Sequence, residues 1–248
     1  TWDEDSTILL SSCGLIWKHF GEDLIKNFLN QFYQKDDPYG DILSQLNIDN
    51  DKIVDQVYQK FYHNFVVAID ANDTGTPFIK NGETNFSNNL PLSMIVGSFN
   101  HFDCYNHDCQ FDNFRKAVDF VKPVISNYLN KYLRESIDYF HEYPIIKSKY
   151  DNLFEGQEYI SLDFIPKTGF KIISEIDPEE KVKMMVVPRG DSNYQIWTRS
   201  KKGERFTQLV KILSYDDACD VLKEKYNYEK DEIVFIHKNR FCGSFKSR

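Results

Sequence analysis

Two carboxylates three residues apart, Asp70 and Asp73, stand at the close of the strongest helical pattern in the chain, in Ala68-Ile69-Asp70-Ala71-Asn72-Asp73-Thr74-Gly75. Acids at a helix C-terminus meet the negative end of the helix dipole and repel each other. A divalent cation offsets both penalties, so the pair is a candidate metal site. On the same ground, replacing either acid by Asn is expected to leave stability unchanged or raised. The competing reading is a pair of solvated turn formers, since Asp favours turns. A second constellation lies in Phe235-Ile236-His237-Lys238-Asn239-Arg240-Phe241-Cys242-Gly243-Ser244. Backbone N–H groups near glycine and cationic side chains suit phosphate, which makes His237, Lys238, Arg240 and Gly243 candidate substrate-binding residues. Its competing reading is a strand-end histidine with a basic tail. The run from His101 to Cys109 holds two His, two Cys and two Asp. Structural zinc sites combine such a couple with a distant second one, which is missing, so a polar loop is expected there.

The elements that must position these groups follow from periodicity. Ile53, Val57, Phe61 and Phe65 form one helical face over about 50–69, and Gly75 permits the turn that ends it. A first helix is capped by Ser11 or Ser12 and turns Leu15, Ile16, Phe20, Leu24, Ile25 and Phe28 inward. Residues 36–40 read as a turn and 74–89 as a linker. A short helix begins at Pro91, and a long one runs over 111–140 with a kink at Pro123. After Pro144, short apolar runs read as strands at 159–162, 170–173, 182–187 and 194–197. A helix capped by Ser214 and a strand over 233–237 complete the pattern. The basic run from Arg199 to Arg205 reads as a solvated hairpin tip, with contact to an RNA backbone as its secondary reading. His19 and His63 read as packing or helix-face residues. No Ser–His–Asp arrangement and no Gly-rich phosphate loop is present.

Three segments resemble one family. Leu10-Ser11-Ser12-Cys13-Gly14-Leu15-Ile16-Trp17-Lys18-His19-Phe20-Gly21 is similar to the "LSSAGLxxKHFG" helix of the melanocyte-proliferating-gene family, which is related to DHH phosphoesterases. Asp70-Ala71-Asn72-Asp73-Thr74-Gly75 resembles its "DAxDNG" motif, and Phe235 to Ser244 its "FVHxxGFIGG" segment, with Arg240 and Ser244 in place of two glycines. The resemblance implies an α/β protein in two lobes. Residues 1–85 would be the helical remainder of a DHH-type catalytic domain, 86–110 a linker, and 111–248 a mixed α+β substrate-binding domain with one long helix and a β-sheet. It implies a phosphodiesterase dependent on Mn2+ or Mg2+, a 3′–5′ RNA exonuclease in the intact protein. RNA or a short nucleic acid would lie in the cleft between lobes, Asp70 and Asp73 would be metal ligands, and His237 to Gly243 would contact substrate. The family's "THxGxFHxDE" and "DHHQ" motifs do not occur here, so the chain is expected to be a fragment, inactive alone. The alternative is a non-catalytic interaction protein that keeps the fold.

Composition narrows the classes further. Of the 248 residues, 41% are hydrophobic and 15% aromatic, enough for one large domain or two smaller cores. No stretch approaches a membrane span. A net charge of −8 argues against a generic nucleic-acid coat but leaves room for one local groove. Five scattered cysteines suggest a reducing, intracellular compartment and no disulfide framework.

Overall fold

The computed structural model describes all residues except 4, 5, 35, 36, 47, 48, 81, 82, 87–91, 101–105, 191, 192, 205, 206, 247 and 248. The described chain is mixed α/β and forms two compact units, 1–137 and 138–248, with the division inside the longest helix.

The first unit is helical. It comprises α1 (Ser12–Gln34), α2 (Pro38–Gln45), α3 (Asn50–Phe61), a π turn (Tyr62–Val66), α4 (Val67–Asp73), a hairpin of β1 (Ile79–Lys80) and β2 (Glu83–Thr84), α5 (Leu92–Gly97), and the first part of α6 (His107–Asp151). The stripe Ile53, Val57, Phe61 and Phe65 is buried as its spacing requires. It packs on α1 through Trp17, whose ring lies 4.4 Å from Phe61. The Trp17 indole donates to the Tyr58 carbonyl at 3.3 Å. The inward face of α1 is Trp17, Ile25, Leu29 and Phe32, whereas Leu15, Ile16, Phe20 and Leu24 are exposed, contrary to the sequence reading. The reason lies in a small residue: a Cβ on Gly21 would come within 2.9 Å of Trp17 and Tyr58, so α1 approaches α3 along the glycine side. Residues 38–40, read as part of a turn, open a helix that runs to Gln45. Asp37 caps α2 by accepting from the Tyr39 N–H, and Pro38 supplies the first helical residue.

The second unit holds a five-stranded sheet in the order β3-β4-β5-β7-β6, formed by β3 (Tyr159–Ser161), β4 (Met184–Pro188), β5 (Asn193–Thr198), β7 (Cys242–Lys246) and β6 (Ile233–Ile236). Only β3 and β4 are parallel. Between them lies α7 (Gly169–Ile176), where the sequence reading put a strand. Glu142 decides this locally. Its buried carboxylate accepts from the N–H groups of Lys167 and Thr168 at 2.7 and 2.8 Å, and from the Thr168 hydroxyl at 2.6 Å. Those donors open a helix, and Ile172 and Ile173 then reach the core beside Ile146, Ile160, Met185 and Val187. The helix α8 (Tyr215–Tyr226) starts at Ser214, whose side chain accepts from the Asp217 N–H as expected. The helical assignment of α6 is continuous through Pro123 and Pro144.

Candidate functional site

The site grows from the end of the α3 stripe. A π turn accommodates one more residue than an α turn and therefore advances the helix face by about 100°. Past Val66, the buried positions become Val67, Asp70 and Ala71. Asp70 is thus turned fully inward, at 0% exposure, while Asp73 remains exposed. The helix then closes on Thr74 and Gly75, where Gly75 takes a φ of +69° and the Thr76 N–H reaches the Ala71 carbonyl at 2.8 Å.

The Asp70 carboxylate lands on the start of α1. Its Oδ1 accepts from the Ser11 hydroxyl at 2.6 Å, the Gly14 N–H at 2.9 Å and the Ser11 N–H at 3.1 Å. The Ser11 hydroxyl in turn accepts from the Cys13 N–H at 3.2 Å. Asp70 is therefore a cap supplied from 56 residues away, set where the α1 dipole is positive. This corrects the electrostatic expectation. Asp70 leaves the C-terminus of its own helix but reaches the N-terminus of another, so its charge is stabilised by the fold alone. Gly14 makes the approach feasible, since a Cβ there would lie 2.1 Å from Asp70 Oδ2.

Among the described residues, Oδ2 itself is buried and has no hydrogen-bond partner within normal geometry, and the same holds for the adjacent Tyr62 hydroxyl. Burial pushes the Tyr62 pKa well above its ordinary range, and the neighbouring Asp70 carboxylate pushes it further. Cys13 is a free thiol at the same helix start. Burial, followed by the charges of Asp70 and Asp73, raises its pKa to about 11, so it is a protonated neighbour rather than a thiolate ligand at neutral pH.

One orphaned carboxylate oxygen with a second acid close by suits a hard divalent cation in donor type. Among the described residues, however, no group of three His, Cys, Asp or Glu side chains converges. The local set fits such an ion as a partial shell, with Oδ2 of Asp70 as its open atom.

The other sequence candidates belong to the second unit. His237 to Phe241 form the turn between β6 and β7, closed by the His237 N–H on the Cys242 carbonyl at 2.9 Å. The imidazole Nδ1 accepts from the Asn239 N–H at 3.0 Å. Lys238 is exposed. Arg240 holds a φ of +61°, and its Nε donates to the Ile212 carbonyl, so part of its donor capacity serves the fold. Gly243 is buried in β7 between Ile196 and Ile236, and a Cβ on it would meet Ile212 at 2.9 Å. Packing explains this glycine. Arg199, read as part of a hairpin tip, is buried instead, with Nη1 2.8 Å from the Asp177 carboxylate. Lys201 and Lys202 are exposed, and Arg205 lies outside the described residues. Of the His101–Cys109 run, residues 101–105 lie outside the described residues. His107 opens α6, and the Asn106 side chain caps it by accepting from the Cys109 N–H at 2.8 Å. Cys109 is disulfide-bonded, against the expectation of unpaired thiols.

These features define a mixed α/β protein whose candidate site is a buried acid joining two helix ends. The chain belongs to the family described as Uncharacterised protein family (UPF0160), matching it over residues 1–248. It is 32% identical over 140 residues to a MYG1 protein of Saccharomyces cerevisiae, a match covering 53% of this chain and 37% of the yeast protein. Against the MYG1 protein of Dictyostelium discoideum the identity is 25% over 270 residues, covering 100% and 72%. Against the MYG1 exonuclease of Mus musculus it is 32% over 124 residues, covering 50% and 28%. The chain thus spans well under half the length of the yeast and mouse relatives in these matches. No solved structure matches it. Among the described residues, no helix is long and apolar enough to cross a membrane.

Proposed function

We propose that the intact protein is a metal-dependent phosphodiesterase, an exonuclease that degrades RNA, and that this chain supplies part of its active site. The relatives named MYG1 exonuclease support a nuclease. The observation that carries the metal reading is the buried Oδ2 of Asp70, which has no hydrogen-bond partner among the described residues. Asp70 would be the ligand, fixed in position by the three donors on its other oxygen, and Asp73 would add charge from the exposed end of α4. Mn2+ or Mg2+ held by Asp70 would supply Lewis-acid activation of water and charge stabilisation. The remaining ligands would come from the DHH-type motifs of the longer protein. In the second unit, His237, Lys238 and Arg240 would contact the substrate backbone through charge and N–H donors.

The second reading is that Asp70 is only a helix cap within a non-catalytic interaction protein, and its three donor contacts favour it. Full-length protein carrying Asp70→Asn separates the two, assayed for Mn2+-dependent release of nucleotides from end-labelled RNA. A loss of at least 100-fold in turnover per folded molecule is expected. Full turnover alongside a lowered melting temperature would leave the cap alone.

A further inference from the structure

On the far side of Tyr62 lies a cavity of about 340 Å3, lined by Asp3, Ser6, Thr7, Ile8, Tyr62, His63, Val67, Asn85 and Phe86. That is the small end of the range for small-molecule sites, room for one compact ligand. Ile8, Val67 and Phe86 make apolar walls, and Asp3, Thr7 and His63 are exposed at its polar side. The π turn contributes Tyr62 and His63, and π turns concentrate at functional positions. The Tyr62 ring is held in place by Trp2, stacked at 3.8 Å and 9°. Tyr62 lines the cavity and its hydroxyl lies beside the Asp70 carboxylate, so this one side chain stands between the two.

We propose that this cavity binds a single nucleobase of the substrate, a proposal that rests on the nuclease reading above. The charged group it offers is a carboxylate, which repels phosphate and accepts from N–H donors. Apolar walls with a few polar groups at one side match a base, whose faces are apolar and whose edge is polar. A carboxylate best matches an edge with two adjacent N–H donors, as guanine presents, and poorly matches uracil, which has one. Tyr62 then sets the spacing between the base and the Asp70 carboxylate.

The test uses the 248-residue chain and the Trp2 indole N–H resonance, assigned with Trp2→Phe. Guanosine monophosphate should shift that resonance saturably, uridine monophosphate at least fivefold more weakly, and ribose 5-phosphate not at all. Asp3→Asn and Thr7→Phe, both at exposed positions, should each weaken the guanosine response at least tenfold. An equal response to ribose 5-phosphate, or none to guanosine monophosphate at millimolar concentration, overturns the proposal. Failure of the nuclease reading looks different: full-length protein would show no Mn2+-dependent hydrolysis while the nucleotide shifts and their loss in the two variants persisted.

Discussion

Gly14 has no room for a side chain, and this is where the site is most sensitive. Alanine normally favours a helix over glycine by about 1 kcal/mol. Here its Cβ would sit 2.1 Å from Asp70 Oδ2, so the carboxylate must leave its three donors. Gly14→Ala should therefore destabilise the first unit by roughly 2–3 kcal/mol, the cost of stranding buried polar groups, as read from urea unfolding. Asp70→Ala should cost a similar amount and Asp73→Ala less than about 0.5 kcal/mol, because only Asp70 is buried. Equal losses at the two acids would contradict the capping role. Cys13 gives a pH signature. With its pKa raised to about 11, the folded protein keeps the thiol protonated where the unfolded chain ionises. Its contribution to stability is complete below about pH 9, the unfolded value, and fades as pH rises toward 11. Alkylation of Cys13 by iodoacetamide at pH 7.5 should be slower than in the urea-unfolded chain by at least tenfold.

At the scale of elements, short helices here depend on acids that arrive from elsewhere. The eight-residue α7 is too short to persist alone. Glu142→Ala removes three acceptor contacts at its start and should cost the second unit roughly 2–4 kcal/mol, followed by the Trp197 near-ultraviolet signal on thermal unfolding. Arg240 offers a contrast. At a φ of +61°, glycine should be more stable than alanine by about 1 kcal/mol, so the variants Arg240→Gly and Arg240→Ala differ by that amount in unfolding free energy. The sequence conveys these elements unevenly. The α3 stripe and the Ser214 cap were legible because spacing and a capping residue agree. The inward face of α1 was not, because apolar residues surround that helix and the deciding positions, Gly14 and Gly21, carry no hydrophobic signal. The strand reading of 170–173 failed because a short apolar run fits both periods, and Glu142, its arbiter, lies far off in sequence. Asp70 and Asp73 were legible as a pair, but not their opposite burial, which turns on a π turn that no residue type announces.

For the whole molecule, charge and completeness set the expectations. A chain of net charge −8 should hold RNA weakly, with few phosphate contacts, so its affinity should fall only gently as salt rises from 50 to 200 mM. A steep dependence, equivalent to six or more contacts, would contradict this expectation. With a partial ligand shell at Asp70, the 248-residue chain alone should show no Mn2+-supported hydrolysis of labelled RNA above buffer. Activity that vanished in Asp70→Asn would mean that the described residues already complete the site.

The π turn over 62–66 has a genetic consequence. It is, in effect, one surplus codon inside an otherwise regular helix. Removing Asn64 should restore uninterrupted α-helical phase, and by helix formation alone the result would look improved. Everything downstream would then keep its orientation, because the deletion removes both the extra residue and the wide turn that absorbs it, and Asp70 would stay on Ser11 and Gly14. Selection at this stretch therefore acts on the number of residues as well as on their kinds: a point substitution at exposed His63 or the loss of one triplet inside the π turn is tolerated by the fold, while the loss of one triplet within the regular α3 would turn its buried face by about 100° against Asp70.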